Sequence, residues 1–490
     1  MANGQEPRKH GNFIDGSWVP PRCGTYAPDL NPADEGDVIG LFAASDAEDA
    51  RAAVESAHRA WAAWARLLPA ERERFVQRFS DLLRANRQRI GEVICREEGK
   101  TLREALGEPD RGVEEIAWFI GEGRRLEGIT MPSDRAGVLS VASRVPIGVV
   151  AAITPWNFPV LTPLRKIIPA LVTGNTVVFK PASDTPHSAV VLMELFAEAG
   201  LPPGVVNMVT GRGGVVGDAI SGHPLVRGIT FTGSTAVGRR INMMAAGNLA
   251  RVQLEMGGKN AAVVAGCGDL AYAADQITTA AFAVSGQRCT SISRVITLRE
   301  QAQELERLIV ERMKRYVAGN GMDPEVNLGP IINRAAGERI MAAIGDAVEA
   351  GARIAAGGYR PRGGAFAKGF WIEPTLLTGV SPRMAVATEE IFGPVLASIA
   401  VDSFDEALEV ANGTAYGLAA CLFSDDLGRI HRFERDVDAG MLHVNHGTVT
   451  DGSMPFGGVK DSGLGPFSKG ATNKDFYTTW KVSYLKLAGA

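Results

Sequence analysis

The chain has 490 residues, 46% of them apolar, and carries 51 Lys and Arg against 55 Asp and Glu for a net charge of −4. This length suggests two to four domains with ample material for large cores. Charged residues make up 22% and carry both signs, so no excess favours nucleic acid or an anionic membrane as a partner.

The amino-terminal stretch MANGQEPRKHGNF is polar and lacks the apolar core of a signal peptide, and no apolar run reaches the roughly 18 residues of a membrane span. The five cysteines (Cys23, Cys95, Cys267, Cys289 and Cys421) are widely spaced and form no CxxC pair, so neither a zinc site nor a disulfide framework is expected. A cytoplasmic protein without a metal is the expectation.

Residues 45–123 read as helical. Ser45 with Glu48 suggests a capping box, and AEDARAAVESAHRAWAAWARL follows with apolar residues at helical spacing. Pro69 can open a second helix, because a proline at the first helical position loses no useful donor. Near residue 147 the period changes. VPIGVVAAITP, NTVVFKP, GVVNMVTG and VRGITFTG are short β-rich runs, separated by the helical segments LTPLRKIIPALVTG, TPHSAVVLMELFAEAG and GGVVGDAISGH. Such alternation predicts a parallel sheet covered by helices, an α/β fold. A second alternating stretch begins near Asn260 and runs to about residue 445. The final segment, DFYTTWKVSYLKL, alternates like a strand and has no obvious local partner, so it is expected to complete a sheet in another domain or subunit.

A G-x-G-x-x-G turn after a strand is absent. GRGGVVGDAI comes near it, but Val216 stands where the last glycine belongs. FTGSTAVG (231–238) joins a strand to a helix and offers Ser234, Thr235 and free N–H groups at a positive helix end, suited to a pyrophosphate; the same residues also make an ordinary helix cap. Cys289, in SGQRCTSISR, has polar neighbours unlike those of a core cysteine, and Arg288 is expected to favour its thiolate. Glu255, in QLEMGGKN, ends an apolar strand, where it serves either as an ion-pair partner or as a general base.

Together these segments resemble the aldehyde dehydrogenase superfamily. The likeness runs from FIDGSWV (13–19) to the last strand. It is carried by TPWNFP (154–159), KPASDTP (180–186), FTGSTAVG (231–238), LEMGGKN (254–260), GQRC (286–289), EEIFGPV (389–395) and MPFGGVKDSG (454–463), in order and at the family's spacing. The resemblance implies hydrolytic, NAD(P)-dependent oxidation of an aldehyde to an acid. Cys289 would be the nucleophile, passing through a thiohemiacetal and a thioester. The amide of Asn157 and the backbone N–H of Cys289 would form the oxyanion hole, Glu255 would activate water, and Lys166 would lie near the active site. Trp156, Lys180, Ser183, Gly233, Ser234, Glu390 and Phe392 would bind the cofactor, NADP or NAD. Glu255 also argues against a phosphorylating or CoA-dependent outcome.

The resemblance further implies three parts: a Rossmann-like cofactor domain (1–123 and 147–257), a catalytic α/β domain (258–473) and a bridging β element (124–146 and 474–490). Homodimers or homotetramers are expected. Two positions depart from the family pattern. Ser183 stands where many NAD-preferring members have a ribose-binding glutamate, and Phe467 stands where many carry a glutamate of a proton relay. Arg165, eight residues after Asn157, resembles the arginine with which succinate-semialdehyde dehydrogenases hold the substrate carboxylate. An acidic aldehyde such as a semialdehyde is therefore expected, with Arg288 as a second contact and Ser453 or His446 assisting. The bland alternative is that Arg165 pairs with a local carboxylate and Arg288 points away. Oxidation of neutral aliphatic or aromatic aldehydes is the competing function, and an inactive structural protein with this fold a remote one.

Overall fold

The structure, a computed structural model, describes residues 6–486; residues 1–5 and 487–490, the outer ends of the expected first and last segments, lie outside it. Two sheets organise the chain. The larger has eight strands in the spatial order Gly463–Leu464, Arg251–Glu255, Val226–Thr232, Val149–Ile153, Thr176–Lys180, Val206–Met208, Asn12–Ile14 and Ser17–Val19. Its five inner strands are parallel, and the edges are antiparallel. Both Val149–Ile153 and Thr176–Lys180 are buried along their whole length, as expected of strands covered on both faces.

The helical reading of 45–123 resolves into four helices, Ala47–Arg66, Pro69–Ala85, Arg87–Glu98 and Leu102–Ile120. The last three pack with Leu161–Val172 and Pro186–Glu198 against one face of the sheet. Ala47–Arg66 and Thr235–Asn248 cover the other. The first cap differs from expectation. Asp46, not Ser45, caps the helix and forms the box with Asp49. Ser45 is instead held by Asn12, whose Nδ2 donates to its Oγ at 2.8 Å, so its hydroxyl serves the edge of the sheet.

The second sheet has seven strands in the order Arg353–Ala356, Thr375–Thr378, Val395–Val401, Ile292–Leu298, Asn260–Val264, Ala419–Phe423 and Met441–Val444, all parallel except the first. The two sheets are not fed by wholly separate stretches of chain: Gly463–Leu464 returns to pair with Leu254 and Glu255 at the edge of the first.

The carboxyl-terminal strand has its partner within the same chain. Thr478–Lys486 pairs antiparallel with Val138–Pro146, from Thr478 opposite Pro146 to Lys486 opposite Val138, and Ile129–Met131 adds a third strand. The pairing joins residues too distant in sequence for a local pattern to reveal it. Among the described residues no helix is long and apolar enough to cross a membrane.

Candidate active site

In the first sheet, the strands Val149–Ile153, Thr176–Lys180 and Val206–Met208 run to one side, and Val226–Thr232 and Arg251–Glu255 to the other. The chain order therefore reverses between Val149–Ile153 and Val226–Thr232. Loops leaving the carboxyl ends of strands on either side of such a reversal diverge and leave a crevice. Here those loops carry Trp156–Asn157 and Gly233–Ser234, and a cavity of about 270 Å³ opens between them.

The cavity brings together most of the residues singled out from sequence. Trp156, Asn157, Arg165, Lys166, Gly233, Ser234, Glu255, Arg288, Cys289, Glu390 and Phe392 all line it. Asn157 precedes the helix Leu161–Val172, and successive turns of that helix present Leu161, Thr162, Arg165 and Lys166 to the same space. Lys180 and Ser183 lie outside the cavity, at the end of the next strand. Lys180 is buried, with Nζ donating to the Pro181 carbonyl at 2.8 Å, while exposed Ser183 donates to the Gly211 carbonyl at 3.1 Å.

The loop bearing Cys289 is fixed from several sides. Val284 and Ser285 adopt left-handed backbone, with φ of 54° and 53°. Such strain persists only where the surroundings impose it. The Val284 N–H donates to Glu104 at 2.8 Å, and the Ser285 hydroxyl to the Gly329 carbonyl at 2.7 Å. Nearer the thiol, Asn157 Nδ2 donates to the Gln287 carbonyl at 2.9 Å, and Asn260 Nδ2 to the Cys289 carbonyl at 2.7 Å. An amide NH₂ has two donors, so Asn157 keeps one beyond the bond to Gln287.

Glu255 ends its strand with one oxygen engaged: the Ser468 N–H reaches Oε1 at 3.4 Å, and buried Oε2 has no partner. Burial raises the Glu255 pKa against the lowering influence of Lys166 and Ser468. Burial likewise lowers that of Lys166, whose Nζ donates to Thr230 Oγ1 at 3.0 Å. Glu390 accepts from the Gly258 N–H at 3.1 Å, and burial pushes its pKa up to about 7. Gly257 is needed here, because a Cβ on it would lie 2.2 Å from Glu390 Oε2.

Arg288 favours the Cys289 thiolate, as expected, but it is not the dominant influence on the thiol. Burial, then Glu390 and Glu255, push the thiol pKa up to about 12, and Arg165 and Arg288 do not offset them. The four candidate substrate contacts divide: Arg165 and Arg288 line the cavity, and Ser453 and His446 do not. Arg165 lines the cavity but is not free: Nε and Nη2 donate to Glu115, at 2.8 and 2.6 Å in the shorter contacts. Glu115 lies five residues before the end of the helix Leu102–Ile120, which packs against the helix that carries Arg165. Arg288 also lines the cavity, yet Nη2 is turned back to the Ala280 carbonyl at 2.9 Å. Ser453 is exposed and absent from the lining, because the turn Gly452–Ser453 carries it outward. His446 is absent too, its Nδ1 lying 2.7 Å from the Gly447 carbonyl. Thr448 and Thr450 take their place.

Sequence reasoning missed Glu115, Ser468 and Lys469. A signal existed for Glu115: with Glu108 it interrupts an otherwise apolar buried stripe that includes Ala105, Gly112, Ile116 and Phe119. Ser468, not Phe467, touches Glu255; the Phe467 ring lies against Gly457.

The arrangement also fits a nicotinamide dinucleotide. Ser234 caps Thr235–Asn248 without a side-chain hydrogen bond, leaving first-turn N–H groups for an anion at a positive helix end. A Cβ at Gly233 would lie 2.4 Å from the Phe231 ring, so the backbone is kept bare there. Phe392, at φ 59°, meets Trp156 edge to face at 5.5 Å, forming an aromatic wall of the cavity. Among the described residues no group of three His, Cys, Asp or Glu is placed to hold a metal ion.

A family model described as "Aldehyde dehydrogenase family" matches residues 18–483. The chain is 40% identical over 476 residues to the alpha-ketoglutaric semialdehyde dehydrogenase of Bacillus subtilis (strain 168), covering 97% of this chain and 98% of that protein. It is 36% identical over 454 residues to the NADP(+) succinate-semialdehyde dehydrogenase of Escherichia coli (strain K12), covering 92% and 93%. The solved structure of 3,6-anhydro-L-galactose dehydrogenase in complex with NAP superposes with a TM-score of 0.95 at 35% identity, covering 98% of this chain and 100% of that one.

Proposed function

This chain belongs to the aldehyde dehydrogenase family, and we propose that it oxidises an acidic aldehyde, such as a semialdehyde, through an acyl group carried on Cys289. NAD(P)-dependent oxidation of an aldehyde to an acid is the activity of the chain; the substrate class and the residue roles are our reading.

Sγ of Cys289 attacks the aldehyde carbon, forming a sulfur–carbon bond and placing negative charge on the former carbonyl oxygen. The spare N–H of Asn157 and the backbone N–H of Cys289 stabilise that oxyanion. A nicotinamide dinucleotide, when bound beside Phe392 and Glu390, would supply the acceptor for the hydride that the thiohemiacetal carbon must lose to become a thioester. Glu255 takes a proton from water through its unpartnered Oε2, the hydroxide adds to the thioester, and the acid leaves as Cys289 is regained. Before attack the thiol loses its proton to water in the cavity, a step that its raised pKa makes unfavourable. Lys180 and Ser183 belong, in this reading, to the adenosine end of the cofactor. Ser234 faces its pyrophosphate, and Glu390 and Phe392 its nicotinamide end.

The acidic substrate rests on Arg165. Glu115 engages Nε and Nη2, while Nη1 takes no part in that bond, and the residue lines the cavity. The two named curated relatives fit, since both of their semialdehydes carry a carboxylate. The pairing with Glu115 favours the second reading, a neutral aldehyde, because it offsets the arginine's charge. Comparison of kcat/KM for succinate semialdehyde and butanal decides between them. The acidic compound should win by roughly ten- to a hundredfold, the effect of a charge-assisted hydrogen bond, and Arg165→Ala should remove most of that advantage. A wild-type preference for butanal would overturn the proposal.

Residues 1–123 with 147–257 and residues 258–473 are proposed as the cofactor and catalytic domains, joined by 124–146 and 474–490. Within the last two, Ile129–Met131, Val138–Pro146 and Thr478–Lys486 form a sheet that exposes Ile129, Met131, Leu139, Val482 and Tyr484, which supports assembly into a homodimer or homotetramer. All five cysteines are free, which supports a cytoplasmic location.

A further inference from the structure

Lys469 occupies a position doubly unfavourable for lysine. Its backbone is left-handed, with φ of 65°, where glycine would be at ease, and the residue is 0% exposed. Its Nζ is held by a specific set of partners. It donates to Thr450 Oγ1 at 3.2 Å and to the Asp451 carbonyl at 2.9 Å, and it lies 3.6 Å from Glu115 Oε1. Glu115 is the carboxylate that binds Arg165. Lys469 and Arg165 also share the Phe456 ring, at 5.6 and 5.4 Å from its centroid. Arg165, Thr450 and Phe456 all line the cavity.

One carboxylate is thus divided between two buried cations, and the same lysine pins the segment that forms one lip of the cavity. Were Glu115 shared with no second cation, it would cancel the charge of Arg165. Burial and Arg165 lower the Lys469 pKa to about 8, so below that pH the lysine is charged and the trio keeps a net positive charge beside the substrate space. We propose that Lys469 is a positioning residue that sets substrate specificity: it shares Glu115 and fixes the Thr450–Asp451 lip, so that the free edge of Arg165 acts as a cation on the anionic end of the substrate. This inference rests on the acidic-aldehyde reading above.

The test is the ratio of kcat/KM for succinate semialdehyde to that for butanal in the wild type, Lys469→Gly, Lys469→Met and Lys469→Arg. Glycine suits the left-handed backbone and methionine retains the packing of the stem, so failure of one variant to fold leaves the other. The ratio should fall about tenfold in both, carried by KM for the acidic compound, and the charge-conserving arginine should retain most of it. An unchanged ratio, including an equal loss on both aldehydes, would overturn the role of Lys469 while leaving the acidic reading intact. A wild-type ratio below one would instead overturn the acidic reading, and this inference with it.

Discussion

The backbone N–H of Ser468 reaches Glu255 Oε1 at 3.4 Å and leaves Oε2 buried without a partner. A buried carboxylate oxygen without a partner costs stability, and here it is left facing the cavity that Cys289 also lines. With no glutamate at 467 or 468, Glu255 has no carboxylate partner on that segment for passing its proton onward.

Glu255→Gln should therefore separate the two halves of the reaction. An amide cannot take a proton from water, so acylation and one equivalent of NAD(P)H remain while thioester hydrolysis stops. Rapid-mixing absorbance at 340 nm should show a burst followed by a steady rate at least about 100-fold below wild type. An unchanged steady rate would remove Glu255 from the role of base.

Cys289→Ala should abolish turnover while cofactor binding persists, as read by cofactor fluorescence titration. The wild-type thiol should also show its raised pKa directly. Below that pKa the thiolate fraction grows about tenfold per pH unit, so iodoacetamide labelling of Cys289 should climb steadily from pH 7 to 10. Peptide mapping separates this site from exposed Cys23. A plateau near pH 8 would show that Arg165 and Arg288 overcome burial.

NADP should be accepted, because the side chain of Ser183 brings no negative charge toward a 2′-phosphate and Lys180 stands close by in the chain. Ser183→Glu should reverse this. Two unit charges about 4 Å apart at a dielectric of ~20 interact by roughly 4 kcal/mol, and exposure at this position reduces it. The ratio of kcat/KM for NADP to that for NAD should fall by about ten- to a hundredfold. Strict use of NAD by the wild type would overturn the expectation.

Lys100 should be costly to remove. Its side chain is fully buried, and Nζ bonds the Asn157 carbonyl at 2.6 Å and Glu108 at 2.7 Å. Glu108 in turn accepts from the N–H groups of Val160 and Leu161, at the start of the helix that carries Arg165 and Lys166. Lys100→Met strands a buried carboxylate, which costs about 3–5 kcal/mol and should lower Tm by about 5–10 °C. It should also lower kcat, since the backbone of Asn157 loses its anchor. A change of Tm under about 2 °C would show that the network is not structural.

Much of this protein is legible in its sequence, and the reason is local. The strands Val149–Ile153 and Thr176–Lys180 are continuous apolar runs because both faces are covered, and Pro69–Ala85 announces itself by the proline at its first position. The family resemblance pointed to Asn157, Glu255, Cys289 and Glu390, and the fold brings all four to one cavity. The Ser45 cap failed because the neighbouring Asp46 accepts the first-turn N–H groups while Ser45 is engaged by Asn12.

Partnership between distant charges is what tertiary structure alone decided. From sequence Arg165 is either a substrate-facing cation or one paired with a local carboxylate, and only the helix Leu102–Ile120 brings Glu115 against it. Lys469 reads as one more surface lysine until a left-handed turn buries it beside that same carboxylate. Local pattern reports which face of an element avoids water. It does not report which charge will meet which, because that depends on the packing of elements far apart in the chain, and in a desolvated site the identity of the partner determines what a charge can do.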